Sequence, residues 1–426
     1  MFKISLICLL LTSVGTLFGS NHIPVNPLVE FAQERGLIFA HEEELMTTIS
    51  TEVNCPDSFH LVNIAKLEKQ LDLWHKHLPS VTPFYAVKTN HDPVIIEALA
   101  FLGLDFECAS KGEIHQLLKI GVDPSKIIFS HPRKSLDAIE FARDFGVETF
   151  VFDSIEELNR MKASGLEGQF ILRIAVEDDH SSCPLNSKFG VSIEKAQELI
   201  DECVLRNENL VGISFHVGSN CWHIPSYQKA IEDSASLFCY AKEKWNKELT
   251  VLDLGGGWPG TQNDVFMEIA KAVEDSLKVH FNYKVSIIAE PGRYFAASTT
   301  TTAVRVLGKV VEEDDQGKKI AYYLSNGIYG SFSNSLYYNF DSDLLAKEGW
   351  NFRPLNLAPS SQTYISFFWG ATCDSVDRIY NELLFPEVET DDFIYSKNTG
   401  AYTYSLQTDF NQIPRSKPYY IYERDS

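Results

Sequence analysis

The chain has 426 residues, of which 44% are hydrophobic and 22% are charged, a composition typical of a globular protein with room for two domains. Its formal net charge of -21 argues against binding to nucleic acids and to anionic membrane surfaces, because both repel a strongly acidic protein. Small-molecule chemistry remains open.

The first twenty residues differ from the rest of the chain. Lys3 precedes Ile4–Phe18, an uncharged and largely apolar stretch, and Gly19 and Ser20 follow it. This pattern is typical of a secretory signal peptide over residues 1–20, and it predicts export to a periplasm, a secretory lumen or the outside. A buried N-terminal helix is the alternative, and the protein would then be cytoplasmic. No later window is long and apolar enough for a membrane span, so we expect none in the mature chain.

Cysteine spacing gives no sign of a metal site. Cys8 falls within the predicted signal peptide, which leaves seven of the eight cysteines, an odd number, widely spaced. No Cys-x-x-Cys pair or His/Cys ligand spacing is present, so we predict neither a zinc site nor a dense disulfide framework.

Strand-like apolar runs alternate with amphipathic helical stretches from Phe84 to Gly292. The predicted strands are Phe84–Lys88, Asp105–Ser110, Ile127–Ser130, Thr149–Ser154, Phe170–Ala175, Gly212–Ser219, Val251–Gly257 and Ser286–Gly292. Eight strands alternating with helices is the count of a (β/α)₈ barrel, whereas a doubly wound sheet usually has fewer. We therefore predict an α/β fold with a TIM-type barrel over residues 63–299.

Helical patterns nearly vanish after Arg293. The predicted strands there are Thr299–Val310, Lys318–Leu324, Thr363–Phe368 and Asp392–Ser396. They indicate an all-β C-terminal domain over residues 300–426, to which we also assign the ambiguous residues 21–62. The stretch Ser342–Ser361, rich in Lys, Glu, Gly, Pro and Ser, is predicted to be an exposed loop.

Four polar residues stand at or near the carboxyl ends of predicted barrel strands: Lys88, Glu107, His216 and Glu290. In a barrel that end is the catalytic face. A lone amine at the mouth of a buried strand, as at Lys88, is where a protein holds an aldehyde cofactor as a Schiff base. A lysine extending its charge into solvent from a strand end is the competing interpretation.

A phosphate site is indicated by Gly255, Gly256 and Gly257, which follow the seventh predicted strand. Consecutive glycines let backbone N–H groups approach a phosphate, and barrels commonly bind phosphate beyond strands seven and eight. Ser219 can donate to the same phosphate, and Arg293 can add a forked contact. A tight structural turn would also explain the glycines.

The remaining polar residues suit an aromatic cofactor. Glu290 can hold a pyridine nitrogen protonated, which turns the ring into an electron sink, and His216 can stack on the ring. A structural ion pair between Glu290 and Arg293, and a hydrogen-bonded core histidine, are the ordinary alternatives. Together with Lys88 and the glycines, these residues predict a site for pyridoxal 5'-phosphate.

Four segments read together resemble the eukaryotic-type ornithine decarboxylases. They are Pro83–Lys88, Phe215–Ser219, Glu290–Tyr294 and Trp369–Asp374, and the likeness spans residues 60–412 with the motifs in order. That family belongs to the barrel-fold pyridoxal phosphate decarboxylases, with the diaminopimelate and arginine decarboxylases. The resemblance implies the alanine racemase-like fold, fold type III of these enzymes. It also implies decarboxylation of an amino acid, by default ornithine to putrescine in polyamine biosynthesis.

The resemblance also implies a role for each matching residue. Those expected around the cofactor are Lys88, Glu107, Arg173, His216, Ser219, Gly255, Gly256, Gly257, Glu290, Arg293 and Tyr402. Cys373 matches the cysteine that steers the return of a proton, and Asp374 and Tyr329 match substrate contacts. In the family some C-terminal residues complete the site of the other subunit, so a homodimer with shared active sites is implied.

Two positions depart from the family pattern. Glu107 stands where the family usually has aspartate, which keeps the charge and changes only its reach. Tyr338 stands where an aspartate pairs with the distal amine of ornithine, and the loss of that carboxylate should cost on the order of a few kcal/mol of binding. Asp341 or Asp343 can substitute if the loop shifts; lysine, arginine or a non-basic amino acid are therefore alternative substrates.

Two other functions are conceivable on the same fold. A catalytically inactive binding protein, like the antizyme inhibitors that resemble these enzymes, would typically lack cofactor-site residues, whereas Lys88, His216 and Glu290 are all present. An amino-acid racemase gains no support from Cys373 and Asp374.

Overall fold

The computed structural model describes residues 27–281, 285–315, 317–356 and 362–423. The predicted signal peptide therefore lies outside the described residues. Within those ranges, none of the helices combines the length and the apolar character needed to cross a bilayer.

The described chain begins with two helices, α1 (Pro27–Glu34) and α2 (Glu42–Ser50), and the strand β1 (Ser58–Asn63). Helix α1 packs against the helices around the barrel through Leu28 and Phe31. Residues 21–62 were assigned to the β-rich domain; the described part contains two helices before β1, of which α2 packs on the C-terminal sheet and α1 does not.

Eight parallel strands close into a barrel, as predicted. In barrel order they are β2 (Val81–Ala86), β3 (Asp105–Cys108), β4 (Ile127–Phe129), β5 (Thr149–Phe152), β6 (Gln169–Arg173), β8 (Leu210–Ser214), β10 (Val251–Asp253) and β11 (Ser286–Ala289). Two further strands, β7 (Ser181–Cys183) and β9 (Ser219–Cys221), form a separate antiparallel ribbon.

Both faces of the barrel strands are buried, which explains their nearly continuous apolar sequences. Ile128, Val151 and Ile171 belong to a small apolar cluster formed by the strands, whereas the neighbouring Phe129 and Phe150 pack with the surrounding helices. This alternation is what a filled barrel requires.

The helices outside the barrel strands follow the predicted periodicity. They are α3 (Ala65–His77), α4 (Pro93–Phe101), α5 (Lys111–Lys119), α6 (Leu136–Asp144), α7 (Ile155–Ala163), α8 (Ile193–Leu205), α9 (Ile224–Trp245), α10 (Asn263–His280) and the short α11 (Arg293–Ala296). Asp92, Ser110, Ser154 and Ser192 begin four of them by accepting hydrogen bonds from backbone N–H groups of the first turn. These caps fix where each strand-to-helix loop ends.

The C-terminal unit is an eight-stranded sheet around a second core. After β1 its strands are β12 (Thr300–Asp314), β13 (Gly317–Leu324), β14 (Arg353–Pro354), β15 (Thr363–Trp369), β16 (Arg378–Pro386), β17 (Phe393–Ser396) and β18 (Lys417–Ile421). A barrel joined to a mostly β domain confirms the predicted fold class.

The prediction of an exposed loop over Ser342–Ser361 is wrong for most of its length. Residues Ser342–Lys347 form helix α12. Leu345 and Trp350 are buried in the second core, and Phe352 packs beside them. These three apolar residues were not recognised as core residues, because the segment is otherwise polar and their spacing matches neither a long helix nor a strand. Residues 357–361 lie outside the described ranges.

Candidate active site

One pocket, with a cavity volume of about 230 Å³, lies at the carboxyl end of the barrel. It is lined by Lys88, Ser182, Cys183, Leu185, His216, Ser219, Arg293, Asn334, Tyr337, Tyr338 and Tyr402. These residues come from barrel strand ends, from the β7 segment and from the C-terminal domain. The pocket therefore forms only where the two units meet.

Lys88 follows β2 in a short 3₁₀ turn and points its amine at Glu107, with Nζ 2.5 Å from Oε2. The Glu107 side chain is fully buried and also accepts a hydrogen bond from the Ser130 hydroxyl. Burial lowers the pKa of Lys88, but the carboxylates of Glu107 and Glu290 outweigh it and raise that pKa. The amine is thus held at a fixed point on the pocket wall.

The carboxyl groups of Glu290 and Asp253 are both buried and interact with each other. Burial raises the pKa of Glu290 well above its ordinary value, and the charges of Asp253 and Glu107 raise it further. Burial also raises the pKa of Asp253 to about 6, although its Oδ1 accepts a hydrogen bond from the Gly255 N–H at 2.8 Å. Two such carboxyls cannot both ionise easily, so the pair retains a proton that Glu290 can offer to a basic ring nitrogen.

His216 follows β8, and its Nδ1 accepts a hydrogen bond from the Gly218 N–H at 3.0 Å. Burial lowers the pKa of His216 well below its ordinary value, and the positive charges of Arg173 and Lys88 lower it further. The imidazole is therefore neutral, as suits a ring that stacks on a planar group. A Cβ at Gly256 would lie 2.6 Å from Nε2, so glycine is needed for this close approach.

Arg293, Ser219 and Tyr402 form a cationic part of the pocket wall that can bind an anion. Arg293 lies beside Ser219, with Nη2 and Oγ 3.3 Å apart, and its guanidinium carbon is 5.2 Å from the centre of the Tyr402 ring. Gly257 has a φ of +112°, a conformation open to glycine and costly for other residues. Ser219 and Arg293 thus lie together on the pocket wall, and Gly257 lies close to the neighbouring Val217 and Gly218.

Cys373, Asp374 and Tyr329 do not line this pocket of their own chain; the resemblance implied that some C-terminal residues complete the site of the other subunit. The Tyr329 hydroxyl donates to Asp374, and the Tyr329 ring lies 4.7 Å from that of Phe410. Cys373 is exposed, and its backbone N–H donates to Asn411. These residues form a separate exposed cluster on the C-terminal domain.

Residues 64–297 match the pyridoxal-binding domain of the pyridoxal-dependent decarboxylases. The chain belongs to this family. A probable ornithine decarboxylase of Dictyostelium discoideum is 37% identical to it over 89% of this chain and 82% of that protein. Antizyme inhibitor 2 of Xenopus laevis is 34% identical, over 90% of this chain and 84% of that protein.

A solved structure of another decarboxylase has the same fold as this pyridoxal-dependent decarboxylase. The arginine decarboxylase of Paramecium bursaria Chlorella virus superimposes with a TM-score of 0.83 and 32% identity, covering 89% of this chain and all of that one. The likeness extends over both units, so the pocket between them is part of the shared architecture.

The pocket of this decarboxylase fits pyridoxal 5'-phosphate, its cofactor. Among the described residues, two buried arginine nitrogens at or beside the pocket have no hydrogen-bond partner: Arg173 Nη2 and Arg293 Nε. Unsatisfied buried donors are rare in proteins and costly. A phosphate and a ring hydroxyl would supply the acceptors they lack. Lys88, His216, Glu290 and Arg293 would then hold the aldehyde, the ring face, the ring nitrogen and the phosphate, respectively.

Sequence reasoning missed three residues of this site. Asp253 left a readable signal, since it is a charged residue in the apolar run Val251–Leu254. Glu348 and Asn220 left none: Glu348 follows α12, is 5% exposed, and accepts a hydrogen bond from the Asn220 side chain. Glu348 lies beside Arg293 and Asn220 contacts Glu348, and only the folded chain brings them together.

Tyr338 lines the pocket from the 3₁₀ turn Ser333–Tyr338, and burial raises the pKa of its hydroxyl. The two aspartates proposed to replace the missing carboxylate are both exposed. Asp341 is occupied in capping α12, where it accepts from the N–H groups of Asp343 and Leu344. Neither residue restores a negative charge to the pocket wall.

Proposed function

We propose that this protein converts ornithine to putrescine with pyridoxal 5'-phosphate. The observation that carries this proposal is the Lys88 amine, held by Glu107 on the wall of a pocket that also contains a neutral His216. Ornithine is favoured because the Dictyostelium relative is named a probable ornithine decarboxylase.

The chemistry divides between the cofactor and the chain. When bound, pyridoxal phosphate supplies an electron sink for the electron pair left behind as carbon dioxide departs. Lys88 would hold the aldehyde of the cofactor through its amine. Glu290 would keep the ring nitrogen protonated, His216 would cover one face of the ring, and Arg293 would anchor the phosphate. The chain thus contributes position and charge.

A homodimer would complete this site. We propose that Cys373, Asp374 and Tyr329 of one subunit enter the Lys88 pocket of the other, because they are displayed outside the pocket of their own chain. In that position Cys373 would return a proton to the carbon that lost carbon dioxide, and Asp374 would face the distal amine of the substrate. A two-fold axis creates two equivalent composite sites.

Tyr338 makes the choice of substrate testable. With no carboxylate at this position, we expect decarboxylation of ornithine with a high KM. The variant Tyr338→Asp should lower that KM by roughly tenfold or more, because a carboxylate facing a buried ammonium contributes about 1.5–3 kcal/mol. The measurement is carbon dioxide release from ornithine, lysine, arginine, diaminopimelate and neutral amino acids.

A matched control introduces the same carboxylate at the neighbouring position 337. Tyr337 also lines the pocket, and Tyr337→Asp should leave the order of substrates unchanged if position 338 faces the distal amine. Preference of the native protein for a neutral amino acid would contradict ornithine as the substrate. Absence of release from every amino acid, together with failure to bind pyridoxal phosphate, would favour a regulator like the Xenopus relative.

We also propose that residues 1–20 direct export. The support is Lys3 followed by the uncharged Ile4–Phe18 and the small residues Gly19 and Ser20. Expression of the full chain in its host should yield a mature protein that begins near residue 21, outside the cytoplasm. N-terminal sequencing and cell fractionation measure this, and a Leu9→Arg variant that interrupts the apolar stretch should retain the uncleaved chain inside. An intact N-terminus on cytoplasmic protein would contradict export.

A further inference from the structure

Glu348 holds the arginine that would bind the phosphate of the cofactor. Its Oε2 lies 3.3 Å from Arg293 Nη1, and its Oε1 accepts a hydrogen bond from Asn220. The side chains of Glu348 and Arg293 are 5% and 9% exposed. The carboxylate is therefore a built part of the pocket's anion-binding end and is shielded from solvent.

This arrangement conflicts with a bound phosphate. Arg293 carries one positive charge, whereas a phosphate monoester carries nearly two negative charges at neutral pH. A carboxylate left ionised beside the same guanidinium would add a third negative charge in a buried place. The conflict disappears if Glu348 becomes neutral when the phosphate arrives.

We propose that Glu348 neutralises Arg293 in the cofactor-free protein and takes up one proton from solvent when pyridoxal phosphate binds. The carboxylate becomes a carboxylic acid, no other bond is made or broken at this residue, and Arg293 turns its charge to the phosphate. Glu348 acts through Arg293 and is a positioning residue. The inference rests on cofactor binding, as the proposed function does.

The surroundings of Glu348 make it the group that titrates. Three residues face Glu348: Arg293 on α11, Asn220 on β9 and Tyr338 on the 3₁₀ turn. Lys347, which precedes Glu348 in the chain, is exposed. Cys183 of β7 and Tyr402 face Arg293 from the other sides. Burial raises the pKa values of Tyr338 and Cys183, so both stay neutral around neutral pH.

The carboxyl itself is already biased toward the neutral form. Burial raises the pKa of Glu348, and the attraction of Arg293 opposes that rise. A phosphate on Arg293 would weaken this attraction and add a repulsion, so the pKa of Glu348 would rise again on binding. Between the two pKa values, binding consumes a proton, and the affinity for the cofactor falls as the pH rises.

The decisive experiment compares the native protein with Glu348→Gln, which keeps an oxygen to accept from Asn220 and cannot ionise. Calorimetric titration of the cofactor-free proteins with pyridoxal phosphate, at about pH 8 in buffers of different ionisation enthalpy, gives the number of protons taken up. We expect the native protein to take up about one proton more than the variant. The ratio of their Kd values should rise with pH by up to about tenfold per unit, with the native protein binding more weakly.

Two controls separate the phosphate from other effects. Pyridoxal, which lacks the phosphate, should show no difference between native protein and variant. Glu274, 9% exposed and hydrogen-bonded to Ser80 outside the pocket, supplies a matched change, and Glu274→Gln should keep the native proton uptake. If Glu348→Gln does not fold, the comparison of pyridoxal phosphate with pyridoxal on the native protein still gives the extra proton.

The outcomes distinguish this inference from the function on which it rests. Equal proton uptake by native protein and Glu348→Gln, or equal uptake with pyridoxal phosphate and pyridoxal, overturns the role of Glu348 and leaves the decarboxylase intact. A native protein that binds no pyridoxal phosphate overturns both.

Discussion

Replacing Lys88 with arginine is expected to abolish decarboxylation and the visible absorbance that pyridoxal phosphate acquires when it condenses with a lysine. Arginine keeps a positive charge against the fully buried Glu107 but has no amine that can condense with an aldehyde. We expect a loss of roughly three orders of magnitude or more in kcat, because the step that tethers and releases the cofactor is removed. Absorbance spectra and carbon dioxide release measure the two effects.

The comparison with Lys88→Ala separates charge from chemistry. Alanine removes the cation as well, so Glu107 is left buried beside Ser130 without its partner, and the thermal stability of this variant should fall below that of Lys88→Arg. Lys111 gives the matched control, since it lies on α5 of the same barrel with its side chain 46% exposed. Lys111→Ala should keep both absorbance and activity; a Lys88→Arg protein that does the same would disprove covalent tethering at Lys88.

The barrel could be predicted because the sequence patterns of its strands and helices lie within short, continuous segments. Each strand reads as a short apolar run, each following helix has its own three-and-four periodicity, and caps such as Ser110 and Ser154 mark where helices begin. Parallel strands place their carboxyl ends on one rim, so residues far apart in sequence, such as Lys88 and His216, could be assigned to one site before any contact was known.

The pieces that could not be predicted depend on contacts between distant segments. Nothing in the sequence around Glu348 indicates that this residue, which follows α12, contacts Arg293 of the barrel domain. The structure of the residues before β1 could not be predicted either, because α1 and α2 pack against two separate cores. Cys373 and Asp374 were assigned to an active site shared between subunits, and within a single chain they lie outside the pocket, so their position relative to Lys88 depends on contacts between two chains.

Mixing two inactive variants should restore activity if the sites are shared between subunits. Lys88→Arg disables the pocket, and the double variant Cys373→Ala/Asp374→Ala disables the exposed cluster. After equal mixing and subunit exchange, half of the dimers contain one chain of each kind. In each of these dimers one pocket combines an intact Lys88 with an intact Cys373 and Asp374, and the other carries all the lesions. The mixture should therefore regain about a quarter of the native activity.

A control pair tests whether this recovery reports composite sites. His216 lines the same pocket as Lys88 on the same chain, so every pocket of a dimer formed from Lys88→Arg and His216→Ala keeps one lesion. This mixture should stay inactive, although its chains exchange just as freely. If the first mixture also stays inactive while co-purification of differently tagged chains shows mixed dimers, Cys373 and Asp374 act within their own chain. The exposed cluster would then have to reach Lys88 by a rearrangement of the C-terminal domain.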